Sequence, residues 1–294
     1  MRMLLVARSI GRPAHLLLQR RAFAAHVLAV FERACGLLTP DGEVVALVTP
    51  AAGDGPLNVV LERSAVVRPG PSFPSGFLDE ALGLAPGLPA AVDGSHLRVG
   101  RLQVGLGTAV VWEPRPNWEA LRSCREAISG RLPLTRTPLG AGRGPAKGAG
   151  AALASILASA FRDALGSLRA GWAGDAERLR EAAAGLSGLG GGLTPSGDDF
   201  LAGVMIGAWL AHPSPDAFCR VLVEAAAPRT TVLSAAFLRA AARGECSAAW
   251  QRLLAALAEG EGVAEAAQSV LAQGASSGAD TLAGFLWAAA PVTG

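Results

Sequence analysis

Tyrosine is absent from this 294-residue chain, so no phenol can serve in it as acid, base or oxyanion donor. Lysine is nearly absent too: Lys147 stands alone, and arginine carries the rest of the basic charge. Charged residues make up only 17% against 51% hydrophobic, with a mean hydropathy of +0.36. That balance excludes a disordered chain. An excess of either sign is also missing. A formal charge of +2 gives no electrostatic case for a nucleic-acid partner. Long apolar runs are lacking as well. The longest, at 148–161, 200–210 and 281–292, fall short of the roughly 20 residues a bilayer span needs, so they read as buried helices and no membrane partner is expected.

Reactive side chains are sparse. Cys35, Cys124, Cys219 and Cys246 lie far apart with no C-x-x-C pattern, which argues against disulfides and structural zinc and favours a cytoplasmic location. His15, His26, His96 and His212 are isolated, and neither H-E-x-x-H nor G-x-S-x-G occurs. Zinc-dependent hydrolysis and acyl-enzyme chemistry therefore lack support. The segment GRGPAK at 142–147 has no Walker spacing. Near the start, Arg2, Arg8, Arg12, Arg20 and Arg21 precede the first acid, Glu32. That pattern can mark a transit peptide, but an amphipathic opening segment in an arginine-biased chain is the favoured reading.

What is present divides the chain by texture. Glu43–Thr49, Leu57–Leu61 and Ser64–Arg68 are short β-branched runs between turn residues. His96–Val99 and Gln103–Trp112 flank Gly100-Arg101 as a hairpin, and a short helix is expected near Phe77–Leu82 within a Pro/Gly-rich stretch. A helix is also expected over 22–34, where Val27, Val30, Phe31 and Ala34 share a face at helical spacing. Asn117 caps a further helix running to Ile128. From 149 onward helices are expected at 149–165, 174–186, 198–211, 215–226, 231–243, 247–259, 262–273 and 280–289. The fold class is α+β: a strand-rich part over 1–128, a basic Gly/Pro linker over 129–150, and an all-helical part over 151–294.

The most unusual stretch is 185–203, GLSGLGGGLTPSGDDFLAG. Gly185, Gly188, Gly190, Gly191 and Gly192 are not expected to be helical and cost ordering entropy wherever they are fixed. A glycine loop running into a helix aims unpaired N–H groups at one place, where the helix dipole favours an anion. Ser277-Gly278-Ala279-Asp280-Thr281-Leu282-Ala283-Gly284 then repeats Ser196-Gly197-Asp198-Asp199-Phe200-Leu201-Ala202-Gly203 in register. Two similar helix starts, facing a common pocket, are the expectation. Ser-x-x-Asp also matches a capping box, in which Asp199 and Asp280 only cap. Gly203 and Gly284 read equally as points of close helix packing. The glycine run, Thr194-Pro195 and the extra carboxylate Asp198 go beyond what capping needs. Asp198 and Asp199 are the candidate catalytic groups, able to hold Mg²⁺ or to accept N–H bonds from a substrate amide. Gly190, Gly191, Gly192, Thr194, Ser196, Gly197, Ser277, Gly278 and Asp280 are candidate binding residues. Arg229, Thr231 and Ser234 join them, with helix capping as the alternative for the hydroxyls. Asn58 is a weaker candidate and reads as a turn or edge residue. Asp198→Asn is expected to abolish ligand binding with little change in stability.

The segment GLGGGLTPSGDDFLAG resembles the signature of the AllH family, which includes a subunit of bacterial oxamate carbamoyltransferase. Thr231-x-x-Ser234, SSGADTLAG and the N-terminal layout ending near Asn58 extend the resemblance over most of the chain. It implies a part in allantoin catabolism, within purine degradation, alongside other carbamoyltransferase subunits. The implied reaction interconverts oxalurate plus phosphate with oxamate plus carbamoyl phosphate, so the substrates are small anions. Donors aimed at a developing oxyanion suit such a transfer without a dedicated nucleophile. Two other readings remain open: a small-molecule kinase or nucleotide-binding enzyme, which predicts stabilisation by nucleotide, and a non-catalytic scaffold subunit, which predicts indifference to changes at Ser196, Gly197 and Asp198.

Overall fold

The computed structural model describes residues 3–20, 23–63, 82–132 and 149–289, without the side chains of Met3, Arg63 and 149–160. The expected strand at 64–68, most of the helix near Phe77–Leu82 and most of the linker at 129–150 lie outside the described residues. The chain forms two compact units, Met1–Pro114 and Arg115–Gly294.

The first unit is a closed sheet. Its strands are β1 (Met3–Gly11), β2 (Ala24–Val30), β3 (Ala34–Leu38), β4 (Val44–Val48), β5 (Asn58–Arg63), β6 (Pro89–Asp93), β7 (His96–Val99), β8 (Leu102–Gly105) and β9 (Val110–Trp112). They run in the order β5-β4-β3-β2-β6-β7-β8-β1, and β5 pairs back onto β1 to close an eight-stranded barrel. β9 continues beside the far half of β1. Alternation explains the lining: Leu5, Ala7, Val27, Leu37, Val45, Leu47, Val59, Leu61, Leu97, Val99, Leu102 and Val104 share one core. Helix α1 (Arg12–Leu18) adds Ala14, Leu17 and Leu18 to it. Asn58 closes the turn before β5 by donating from Nδ2 to the Gly53 carbonyl at 2.9 Å.

The expected helix over 22–34 is instead β2, a turn, and the start of β3. Val27 exchanges backbone hydrogen bonds with Leu88 and Gly87, and Phe31 is exposed. Apolar residues spaced three and four apart in a short alanine-rich run fit either period, and here the ladder with β3 and β6 decides.

The second unit is helical, as expected. Its helices are α2 (Trp118–Ser123), α3 (Arg125–Arg131), α4 (Ala149–Trp172), α5 (Ala176–Leu186), α6 (Ser196–Ala211), α7 (Pro215–Ala226), α8 (Val232–Ala242), α9 (Ala248–Glu259), α10 (Val263–Leu271) and α11 (Ser277–Ala289). Asn117 caps α2 through the Ala120 N–H, as expected, but the helix stops at Ser123 and a second begins at Arg125. Gly185 falls within α5, contrary to its expected place in a non-helical run.

Helix α6 has no polar face, because FLAGVMIGAWL is apolar all round, and it is buried along nearly its whole length. Its C-terminal carbonyls are satisfied from outside. Arg122 donates to the Trp209 and His212 carbonyls at 3.3 and 2.9 Å, where the helix dipole also favours a cation. Helix α11 lies against α6 in parallel: Gly203 faces Thr281 and Phe285, Gly284 faces Phe200 and Val204, and Gly207 faces Ala288. These contacts are reciprocal across the repeat, so the duplicated sequence packs on itself. Both helix starts therefore lie side by side.

Candidate functional site

Each helix start is built in the same way. A Cβ on Gly197 would sit 2.0 Å from the Leu186 carbonyl oxygen, and one on Gly278 would sit 2.0 Å from that of Val270. The Gly197 N–H donates to Leu189 at 2.9 Å, and the Gly278 N–H donates to Gln273 at 2.9 Å. Glycine is required at both positions because the backbone of the preceding turn comes this close. These N–H groups are thus already taken, as is that of Gly188, so the expected gathering of free amide hydrogens for an anion is not what the loop provides there.

Asp198 accounts for Gly188. Its carboxylate accepts the Gly188 N–H at 3.0 Å and the Thr230 hydroxyl in a short contact. Ser187 Oγ lies 3.4 Å away but sits 2.7 Å from the Ala226 carbonyl, which takes its single proton. Asp198 is 2% exposed and ties the turn after α5 to the turn before α8. Ser196 does not cap α6; Pro195 occupies the N-cap and no side-chain cap forms, so the capping-box alternative fails at this helix.

Asp199 points elsewhere. It lies against the hydroxyls of Thr194 and Ser277, which are themselves 3.0 Å apart and join the two helix starts. Asp280 from α11 and Asp198 act on it as neighbouring charges. Asp199 and Asp280 are 9% and 7% exposed, and Oδ2 of each has no hydrogen-bond partner. Burial, then the charges of Asp280 and Asp198, raise the Asp199 pKa from 3.8 to about 7 despite the opposing hydrogen bond from Ser277.

The remaining candidates frame the glycine loop. Thr231 caps α8 through the Ser234 N–H at 3.1 Å and donates to the Leu193 carbonyl at 2.6 Å. Ser234 Oγ lies 3.5 Å from that carbonyl. These hydroxyls hold the loop end in place. Arg229 is exposed beside the loop, its carbonyl against Gly188. Gly190 packs tightly, since a Cβ there would sit 2.9 Å from the Ser196 nitrogen, whereas Gly191 and Gly192 are exposed with nothing near a Cβ.

A family model described as oxamate carbamoyltransferase subunit AllH matches residues 186–289, and one described as the AllH family N-terminal domain matches 6–111. Together they span most of the chain. It belongs to the AllH family. No solved structure matches it. The AllH match covers the glycine loop, both helix starts and every candidate residue except Asn58, and the N-terminal match covers Asn58 and most of the barrel.

Within the AllH segment the donor set does not suit Mg²⁺ between Asp198 and Asp199. Their carboxylates face different partners, and those of Asp198 are N–H and O–H donors that a metal would have to displace. Among the described residues no group of three or more His, Cys, Asp or Glu is arranged to hold a metal ion, and no described helix is long and apolar enough to cross a membrane. Thr230, the Asp198 partner, was not among the expected residues. Its only signal is its place ahead of Thr231, since the contact spans 32 positions.

The raised Asp199 pKa has a measurable consequence. The folded state holds this proton more tightly than the unfolded chain. Its contribution to stability is fully present below pH 3.8 and is lost as pH rises through about 7. Asp199→Asn keeps the shape without the charge. It is expected to melt above the native chain at about pH 8 and level with it at about pH 4, as thermal unfolding across pH will show.

Proposed function

We propose that this chain is the subunit of a cytoplasmic oxamate carbamoyltransferase that binds the ureido substrate at the paired starts of α6 and α11. The reaction is the interconversion of oxalurate plus phosphate with oxamate plus carbamoyl phosphate, within allantoin catabolism and together with other subunits. One observation carries the reading: Asp199 and Asp280, at the paired helix starts, are both buried, and Oδ2 of each has no hydrogen-bond partner. Buried acceptors without donors are costly. A carbamoyl or ureido group, rich in N–H, supplies what they need.

The surroundings support the same assignment. Gly191 and Gly192 are not fixed by packing, which suits a loop that swings aside to admit the substrate and then excludes water. The exposed Arg229 beside that loop suits the carboxylate or phosphate end. A nucleotide-binding reading is less well supported, because the Gly188 and Gly197 N–H groups that would cradle phosphates are engaged within the chain.

The test is to purify the chain with its neighbouring subunits and measure carbamoyl phosphate formed from oxalurate and phosphate. Steady production that needs this chain is expected. A correctly folded, complete assembly that forms none would reject this substrate.

A further inference from the structure

The Ser277 hydroxyl has more partners than a helix start requires. Its oxygen lies 3.0 Å from Thr194 Oγ1, and its proton goes to the Asp199 carboxylate, against which Thr194 also lies. A hydroxyl has one proton, so Thr194 is the donor between the two hydroxyls and one lone pair on Ser277 Oγ stays free. Ser277 is half-buried in the first turn of α11. Behind it Asp199 is 9% exposed, and its Oδ2 has no partner. A reachable hydroxyl, a buried carboxylate that takes its proton and a third group that orients it are the parts of an activated nucleophile. No motif marks them in the sequence, because Asp199 and Ser277 stand on different helices and meet only where α6 and α11 pack.

We infer that Ser277 is a nucleophile that carries the carbamoyl group as a covalent carbamoyl-serine between two half-reactions, with Asp199 as its general base. The inference rests on the reaction proposed above and assigns the residue that divides it. From oxalurate, Ser277 Oγ forms a bond to the carbamoyl carbon and its proton passes to Asp199. The carbon–nitrogen bond to the oxamate moiety breaks, the bonding pair stays on nitrogen, and that nitrogen takes the proton from Asp199 to become the amide NH₂ of oxamate. A phosphate oxygen then bonds to the carbamoyl carbon, the Ser277 oxygen–carbon bond breaks, and the phosphate proton returns through Asp199 to Ser277. No oxidant or reductant enters the balance. The neighbours suit these steps. Burial raises the Asp199 pKa to about 7, so the carboxylate can take and return a proton near neutral pH. The Thr194 donor steadies negative charge on Ser277 Oγ. Among the described residues no hydrogen bond engages the N–H groups of Gly191 and Gly192, just ahead of Thr194, which suits them to the carbamoyl oxygen as charge develops on it.

Exchange in the absence of phosphate tests this. The native assembly, given oxalurate and labelled oxamate alone, should move label into oxalurate, because carbamoyl-serine can hand its group back to oxamate. Direct transfer to phosphate cannot do so. Acid quenching during turnover of oxalurate labelled in its carbamoyl carbon should leave label on this chain, in the peptide that holds Ser277. Ser277→Ala should abolish both signals and lower turnover by about 1000-fold or more, as loss of a nucleophile does. Thr194→Ser keeps the donor hydroxyl and should keep most of the exchange. An assembly that forms carbamoyl phosphate but shows no phosphate-free exchange overturns the inference, as does a Ser277→Ala assembly keeping about a tenth of its turnover. Should Ser277→Ala not fold, the exchange and the labelled peptide of the native chain still decide. A native assembly inactive toward oxalurate would instead overturn the proposed reaction. An activated aryl carbamate then decides the nucleophile: the native chain should be carbamoylated at Ser277, and a folded chain modified elsewhere or not at all overturns the assignment.

Discussion

Replacing Gly203 by alanine is expected to lower the stability of the helical unit by about 3 kcal/mol or more and its melting temperature by about 10 °C. A Cβ at 203 would sit 1.8 Å from the Thr281 carbonyl oxygen and 2.8 Å from the Phe285 nitrogen. Both are backbone atoms of α11, so no side chain can rotate away to make room. The helices must separate, and the apolar face of α6 that packs there loses its contacts along the crossing. Gly284 meets the mirror-image obstacle, with a Cβ 1.9 Å from the Phe200 carbonyl oxygen. Gly191→Ala is the control. Nothing lies within 4 Å of a Cβ there and its φ is not positive, so stability should hold or rise by up to about 1 kcal/mol through a less flexible unfolded chain. If Gly203→Ala melts with the native chain, the close parallel crossing of α6 and α11 is wrong. Activity should fall with stability in this variant, since separation of the helices also separates Thr194 from Ser277.

Asp198→Ala has the second large effect, about 3 kcal/mol of stability. The substitution leaves the part-buried Gly188 N–H and Thr230 hydroxyl without their acceptor, and each such orphan costs about 1–3 kcal/mol. Asp198→Asn should be milder, at about 1 kcal/mol, because the amide oxygen still accepts from Gly188. This reverses the expectation from sequence, where Asp198→Asn was to remove ligand binding and spare stability. The reason is geometric: the carboxylate faces the turns at 187–188 and 230, not the Thr194–Ser277 hydroxyl pair. Denaturant unfolding of both variants distinguishes the roles. An unchanged midpoint for Asp198→Ala would return this residue to the group that handles substrate.

Sequence was most informative where a signal is local. The helices from α5 to α11 follow from apolar periodicity and their turn residues, and each lies within a few residues of its expected span. The strand at 44–48 and the hairpin around Gly100 likewise follow from β-branched runs and a Gly-containing turn, although the run expected as one strand over 103–112 stops at Gly105 and resumes at Val110 as β9. The duplicated Ser-Gly-x-Asp turns were visible as a repeat, and their juxtaposition, Thr194 to Ser277, is what the structure shows. Legibility failed at 22–34, where alanine carries no strong preference and a non-local ladder made the choice. It failed again at Asp198 and Asp199, which are adjacent in sequence and so look like a pair. On a helix, neighbours diverge by about 100°, and their hydrogen-bonding partners are the distant Thr230 and Ser277.

The sequence by itself determined the α+β class, the helical order of the second half, the glycine-aspartate turn and its copy, and the family they mark. Only the tertiary structure decided that the first half closes as a barrel through β1 and β5, that Asp198 ties two turns together, and that Asp199 lies against Ser277. Periodicity and turn chemistry are properties of a few successive residues. Barrel closure and the pairing of the two helix starts depend on backbones approaching from distant parts of the chain, and between α6 and α11 that approach is fixed by glycines whose missing Cβ atoms leave the room for it.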